Sequence, residues 1–148
     1  MISLNSVDVV KPIFVKSRQL KPFIKTLVLS EGFVSGDIAI VFCSDEYLLK
    51  VNQDFLNHDY YTDIITFDYC ESGVINGDLL ISLDRVLENS SKENTSFEEE
   101  LYRVIFHGVL HLCGFKDKSK KDIETMRFKE AHYINLFVPR ETIGDSKQ

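Results

Sequence analysis

The sequence predicts a single α+β domain, with about four strands in a mixed sheet packed against helices. Three observations lead there. The chain is 148 residues long, within the usual span of one domain and long enough to enclose a core without disulfides. No repeat, low-complexity stretch or linker divides it, and only three prolines interrupt it. Segments of strand character and of helical spacing follow one another in mixed order along the whole length.

Taken in chain order, Ile2 to Val10 alternates loosely and suits a strand. Ser17 is placed to cap a helix through about Leu29, where Leu20, Phe23, Ile24, Leu27 and Val28 recur at helical spacing; Pro22 opposes that reading, and Glu31-Gly32 ends it. Ile38 to Cys43 is a short β-branched run. Ser44-Asp45-Glu46 then starts a second helix with Tyr47, Leu48, Val51 and Phe55 on its apolar face. Ile64 to Tyr69 and Leu79 to Leu83 read as strands joined by a turn around Gly73 to Gly77. Ser96 with Glu99 has the capping-box pattern, and Glu98 to Glu100 suit the positive end of a helix that runs through Leu101, Ile105 and Leu112 to a stop at Gly114. A last helix covers about Ser119 to Phe137, with Ile123, Met126, Ile134 and Phe137 inward and Pro139 beyond its end.

Composition excludes several classes. A hydrophobic content of 44% with 27% charged residues is ordinary for a globular protein, and no stretch approaches the roughly 20 apolar residues of a membrane span. The first residues lack the basic-then-apolar pattern of a signal peptide, so a cytoplasmic location is expected. Cys43, Cys70 and Cys113 are odd in number and form no CxxC pair, which predicts reduced, mostly buried thiols. The net charge of −6 argues against an all-over nucleic-acid binder. That total hides a basic stretch, Lys11, Lys16, Arg18, Lys21 and Lys25, which is either one basic face or simply solvated surface.

The informative segment is His107-Gly108-Val109-Leu110-His111-Leu112-Cys113-Gly114-Phe115-Lys116-Asp117. On a helix, His107 and His111 project only ~40° apart and one turn from each other, the geometry two imidazoles need to share a metal. Gly114 lets the chain turn back, and Asp117 is the nearest carboxylate able to complete an open three-ligand site with a fourth position for water. Two histidines four apart are more often surface or satisfied core residues. Here they lie in an almost wholly apolar stretch, where unpartnered burial is costly, and Gly108 in mid-helix implies a close approach. Cys113 is ~200° round the helix from His111 and is a packing residue. A zinc protease of the HExxH type carries glutamate after its first histidine as general base; Gly108 stands there instead.

These residues resemble the signature of the YbeY family of single-strand-specific endoribonucleases, H-G-x-L-H-L-x-G-Y-D-H. His107, Gly108, Leu110, His111, Leu112 and Gly114 fall on identical positions, and Phe115 replaces the tyrosine. Upstream, Asn52-Gln53-Asp54-Phe55, Thr62-Asp63-Ile64-Ile65-Thr66-Phe67 and Gly77-Asp78-Leu79-Leu80-Ile81-Ser82 are similar to the family blocks L-N-x-x-Y-R, T-D-V-L-S-F and G-D-I-x-I-S, in the same order. The resemblance spans roughly residues 40 to 138. The family's third histidine falls on Asp117 and the aspartate before it on Lys116; aspartate also ligates zinc, as a harder donor that suits other divalent ions somewhat more. The family's arginine falls on Leu56, with His58 and Lys50 as nearby substitutes.

What the resemblance implies is a zincin-like fold, one Zn2+ held by His107, His111 and Asp117, and hydrolysis of single-stranded RNA. It further implies maturation of the 3′ end of small-subunit ribosomal RNA and ribosome quality control, with the small subunit or assembly factors as partners; on composition no membrane partner is expected. Lys116, Lys118, Lys120 and Lys121 either hold flanking phosphates or form a solvated loop and first helical turn. Asp63 either caps a strand turn with Thr62 or is a partner to a histidine N–H beside the metal, and Asp78 carries the same two readings. Two other functions stay open: a ribosome-assembly factor that binds RNA or protein around a mainly structural zinc, and a zinc hydrolase acting on a non-nucleic substrate.

Overall fold

A computed structural model describes residues 1–138. In chain order it contains β1 (Ile2–Ser6), α1 (Ser17–Ser30), β2 (Val34–Cys43), α2 (Asp45–Leu56), β3 (Ile64–Asp68), β4 (Val74–Ser82), α3 (Leu83–Lys92), α4 (Phe97–Leu112) and α5 (Lys120–Phe137). The four strands form one sheet in the order β1-β2-β4-β3. β1 and β4 both run parallel to β2, and β3 is antiparallel to β4. The expected α+β class with a four-stranded mixed sheet is therefore present, with five helices among the described residues.

Period-two alternation divides the sheet into two faces. Ile38, Ile40 and Phe42 of β2 and Ile75, Leu79 and Ile81 of β4 pack in one large core with α1, α4 and the inner face of α5. On the other face Cys43, Ile65, Phe67 and Leu80 meet Leu48 and Val51 of α2 in a smaller cluster. Ile64, next to Ile65 on β3, belongs to the α4 side, so the edge strand offers Ile64, Thr66 and Asp68 to the same side as the two histidines.

Several boundaries differ from the sequence reading. β1 ends at Ser6, and β2 and β4 begin earlier than expected because backbone pairing extends through residues of low strand propensity, including Asn76 and Gly77. The hairpin turn accordingly contracts to Ser72 and Gly73, which both take positive φ. Lys16, not Ser17, stands at the N-cap of α1, without a side-chain bond. Ser44 does cap α2 by accepting from Tyr47 N–H at 3.1 Å, but Tyr47 and Phe55 of its expected apolar face are exposed. Ser96 accepts from Glu99 N–H at 3.0 Å; the complete reciprocal box is at α5, between Ser119 and Asp122. On α5 Met126 is buried, Ile123 is exposed, and Tyr133 and Glu130 take inward places. Pro139 lies outside the described residues. Cys43 and Cys113 are buried free thiols, and burial pushes both up to about 12.

Two glycines explain how closely α4 lies on the sheet. A Cβ on Gly108 would sit 2.7 Å from Ile64 Cδ1 and 3.0 Å from a Leu79 methyl, so the close approach implied by its mid-helix position is made by β3 and β4. A Cβ on Gly77 would sit 2.7 Å from both a Leu112 methyl and the Phe67 carbonyl oxygen. Side-chain ends can swing away; a backbone carbonyl in a strand ladder cannot. Gly77→Ala is thus expected to lower stability in urea melts by about 1–3 kcal/mol. Gly108→Ala, which gains roughly 1 kcal/mol of helix propensity, should cost distinctly less, and equal losses would contradict this account.

Candidate metal centre

α4 presents His107 and His111 one turn apart, with ring centroids 4.5 Å from each other and planes at 87°. The helix ends at Leu112, with Cys113 as its C-cap. Gly114 takes φ +102°, a conformation L side chains rarely adopt, and the reversed chain is held by bonds from Gly114 N–H to His111 O (3.0 Å) and Phe115 N–H to Leu110 O (3.1 Å). The reversal does two things. It returns the Phe115 carbonyl to His111 Nδ1 at 2.8 Å, and it carries Asp117 back over the imidazoles. Asp117 Oδ2 lies 3.6 Å from His107 Nε2 and 3.4 Å from His111 Nε2.

The tautomers follow from the partners. A carbonyl oxygen can only accept, so His111 Nδ1 carries the proton and its Nε2 lone pair is free. His107 Nδ1–H donates to Glu130 Oε2 at 2.5 Å, which frees its Nε2 in the same way. Both lone pairs and one carboxylate oxygen then converge, with the three donor atoms within 4.8 Å of one another. Ligands bound at about 2.1 Å in a tetrahedron stand roughly 3.4 Å apart. The carboxylate-to-imidazole separations match that edge, so these residues fit a zinc-sized cation.

Glu130 is only 2% exposed, and it has a second partner. Arg103 donates from Nη1 to Glu130 Oε1 (3.0 Å), while its Nε and Nη2 grip Glu100 at 3.0 and 2.6 Å. Glu100 is equally buried. Burial by itself would raise the Glu130 pKa, but the bond from His107 and the charge of Arg103 outweigh it and hold the carboxyl below its usual range. Burial likewise disfavours the Arg103 cation and is outweighed by the two glutamates, so its pKa is raised. The sequence reading missed this triad. Glu100 and Arg103 are three apart on α4, a spacing that by itself fits an ordinary surface pair, and nothing in the pattern of α5 marks Glu130.

The ligand atoms open into a cleft of about 750 Å3 walled by Thr62, Asp63, Ile64, Thr66, Asp68 and Lys118. Asp63 is therefore beside the imidazoles, but their Nδ1 protons go to Glu130 and Phe115, which corrects its expected place as a histidine partner. Burial raises the Asp63 pKa against the opposing charges of Arg103 and His107. Of the four expected lysines only Lys118 lines this cleft; Lys116, Lys120 and Lys121 are exposed and are not among its lining residues. Asp78 accepts from Tyr69 Oη at 3.2 Å. Lys50 pairs with Asp54, and His58 stacks on Tyr60 at 5.1 Å between centroids.

Removing the charge of Glu130 tests the arrangement directly. Glu130→Gln should weaken zinc binding by roughly 10–100-fold in chelator competition. Glu130→Ala should in addition destabilise the metal-free protein by about 3–5 kcal/mol, because Arg103 is left buried with one partner fewer. Unchanged zinc affinity in both variants would remove Glu130 from the site.

Known proteins share this arrangement of sequence. The profile of the family described as Endoribonuclease YbeY matches residues 13–138. The chain is 58% identical over 113 residues to an Endoribonuclease YbeY of Porphyromonas gingivalis, covering 76% of this chain and 74% of that protein. It is 51% identical over 116 residues to that of Bacteroides fragilis, covering 78% and 84%. Among solved structures it is similar to the solution structure of TM1509 from Thermotoga maritima, with a TM-score of 0.69 at 26% identity, covering 100% of this chain and 96% of that one. On the breadth of these matches, and with the paired histidines inside the matched region, the chain belongs to the YbeY endoribonuclease family.

Proposed function

We propose that this protein is a zinc-dependent endoribonuclease that cuts single-stranded RNA in ribosomal RNA maturation and quality control, working in the cytoplasm with the small ribosomal subunit as its setting. One observation carries the reading: two imidazole lone pairs and a carboxylate oxygen converge, 3.4 and 3.6 Å from carboxylate to imidazoles, at the floor of an open cleft. A structural zinc is normally enclosed by four protein ligands. Among the described residues three converge here, and Asp117 is 48% exposed, which supports a catalytic ion over the assembly-factor alternative. The HGxLH segment on α4 under a mixed sheet with an antiparallel edge strand supports a zincin-like assignment.

His107, His111 and Asp117 would hold the ion, and Glu130 and the Phe115 carbonyl, by accepting from the two Nδ1–H groups, would aim both Nε2 atoms at it. When bound, the ion supplies Lewis acidity toward a phosphoryl oxygen and acidifies water. The chain's own residues supply the remainder. Lys118 on the cleft wall is placed to meet a phosphate oxygen. Asp63, whose buried carboxyl binds its proton more firmly than usual, faces the same space and is the group available to receive or return a proton on the substrate. Thr66 on β3 and Thr62 just before it also line this space.

His111→Ala is expected to abolish cleavage of a labelled single-stranded RNA, lowering kcat/KM at least about 100-fold, with the circular dichroism spectrum retained. Chelation should stop the wild-type reaction and added zinc restore it. Cleavage by folded His111→Ala protein at the wild-type rate would end the catalytic claim.

A further inference from the structure

We infer that Arg127 is a phosphate-binding residue that holds single-stranded RNA on the α5 side of the cleft; this rests on the endoribonuclease reading above. The cleft has a second mouth. A depression of about 220 Å3 between α4 and α5 shares His107 and Asp117 with the main cleft and is lined by Arg103, Met126, Arg127 and Glu130. Lys118 lines the main cleft and not this mouth, so a strand that touched both Lys118 and Arg127 would run past His107 and Asp117, which the two openings share.

The two arginines at this mouth differ in kind. Arg103 has its Nε, Nη1 and Nη2 committed to Glu100 and Glu130. Arg127 is exposed and makes no ion pair among the described residues. It precedes Glu130 by three residues, which puts both on one face of α5. The helix thus sets Glu130 against His107 and, one turn earlier, leaves Arg127 at the rim. A guanidinium fork matches two phosphate oxygens at once, and with the Arg103 fork held by Glu100 and Glu130, the Arg127 fork is the one left at this mouth to meet a polyanion. Of the neighbouring carboxylates among the described residues, Glu130 is held by Arg103 and His107, Asp117 faces the two imidazoles, and Glu99, which lines an adjoining depression with Arg127, makes no ion pair with it.

The experiment compares zinc-loaded wild type, Arg127→Gln and Arg127→Lys. Cleavage kinetics use a labelled single-stranded RNA, and anisotropy measures binding of the single-stranded DNA of the same sequence over a range of salt. For Arg127→Gln, KM should rise about tenfold, the loss of one charged hydrogen-bond pair, while kcat stays within about twofold and zinc content is unchanged. The log–log salt slope should fall by about 0.7, the value for one phosphate on a single strand, and Arg127→Lys should recover most of the binding. Wild-type KM and salt slope in Arg127→Gln would overturn the inference, as would a fall in kcat at unchanged KM. If wild type cuts no RNA, the endoribonuclease reading fails by itself, and the anisotropy series still decides the role of Arg127.

Discussion

An imidazole has two nitrogens, and a pair of histidines can present two lone pairs to one cation only if both Nδ1–H groups are satisfied elsewhere. That constraint organises this protein. His111 meets it locally, through the Phe115 carbonyl that the Gly114 reversal returns to it. His107 meets it at long range, through a glutamate 23 residues away on another helix. A buried carboxylate is costly unless compensated, so Glu130 brings Arg103, and the surplus of donors on Arg103 brings Glu100. Each group in the chain from Glu100 to His107 answers a requirement set by its neighbour.

The long-range partner makes the docking of α5 a condition for the site. Five further contacts hold that helix. Glu31, where α1 ends, accepts from Lys129 at 3.0 Å and from the Tyr133 hydroxyl. Phe137 packs on Phe23 and Tyr102, each at 4.8 Å between centroids. Lys129 lies over the Phe115 ring at 5.3 Å, which ties α5 to the turn that orients His111. Glu130 sits between these anchors, so core packing and ligand orientation reinforce one another.

Periodicity made legible what periodicity determines. His107 and His111 share a helix face at any packing, and Asp117 was within reach because Gly114 can reverse the chain; the structure brings all three together. Glu130 and Arg103 were not legible, since their meeting depends on how α5 lies across α4, and spacing within one helix carries no information about a second. The same limit misplaced Phe55 and Ile123, apolar residues at helical spacing that tertiary contacts left outside, and moved the histidine-partner role away from Asp63. Strand ends were missed at Asn76 and Gly77, where pairing with neighbours overrides weak propensity. Of the four lysines after the second histidine, charge alone could not say that Lys118 would line the cleft.

Aspartate at position 117 alters the charge balance of the whole cleft. Around a bound dication three imidazoles would leave the full charge, whereas two imidazoles and a carboxylate would reduce the total to one. Asp63 and Asp68 stand on the same walls, and an anionic substrate therefore meets less attraction from the centre than a three-histidine site would give. Attraction must come from the rim, where the charges are exposed and screened within about 10 Å at ordinary salt. A chain of net charge −6 is compatible with binding a polyanion on those terms, because only the field along the strand's path matters, and that path is set by where cations border the clefts.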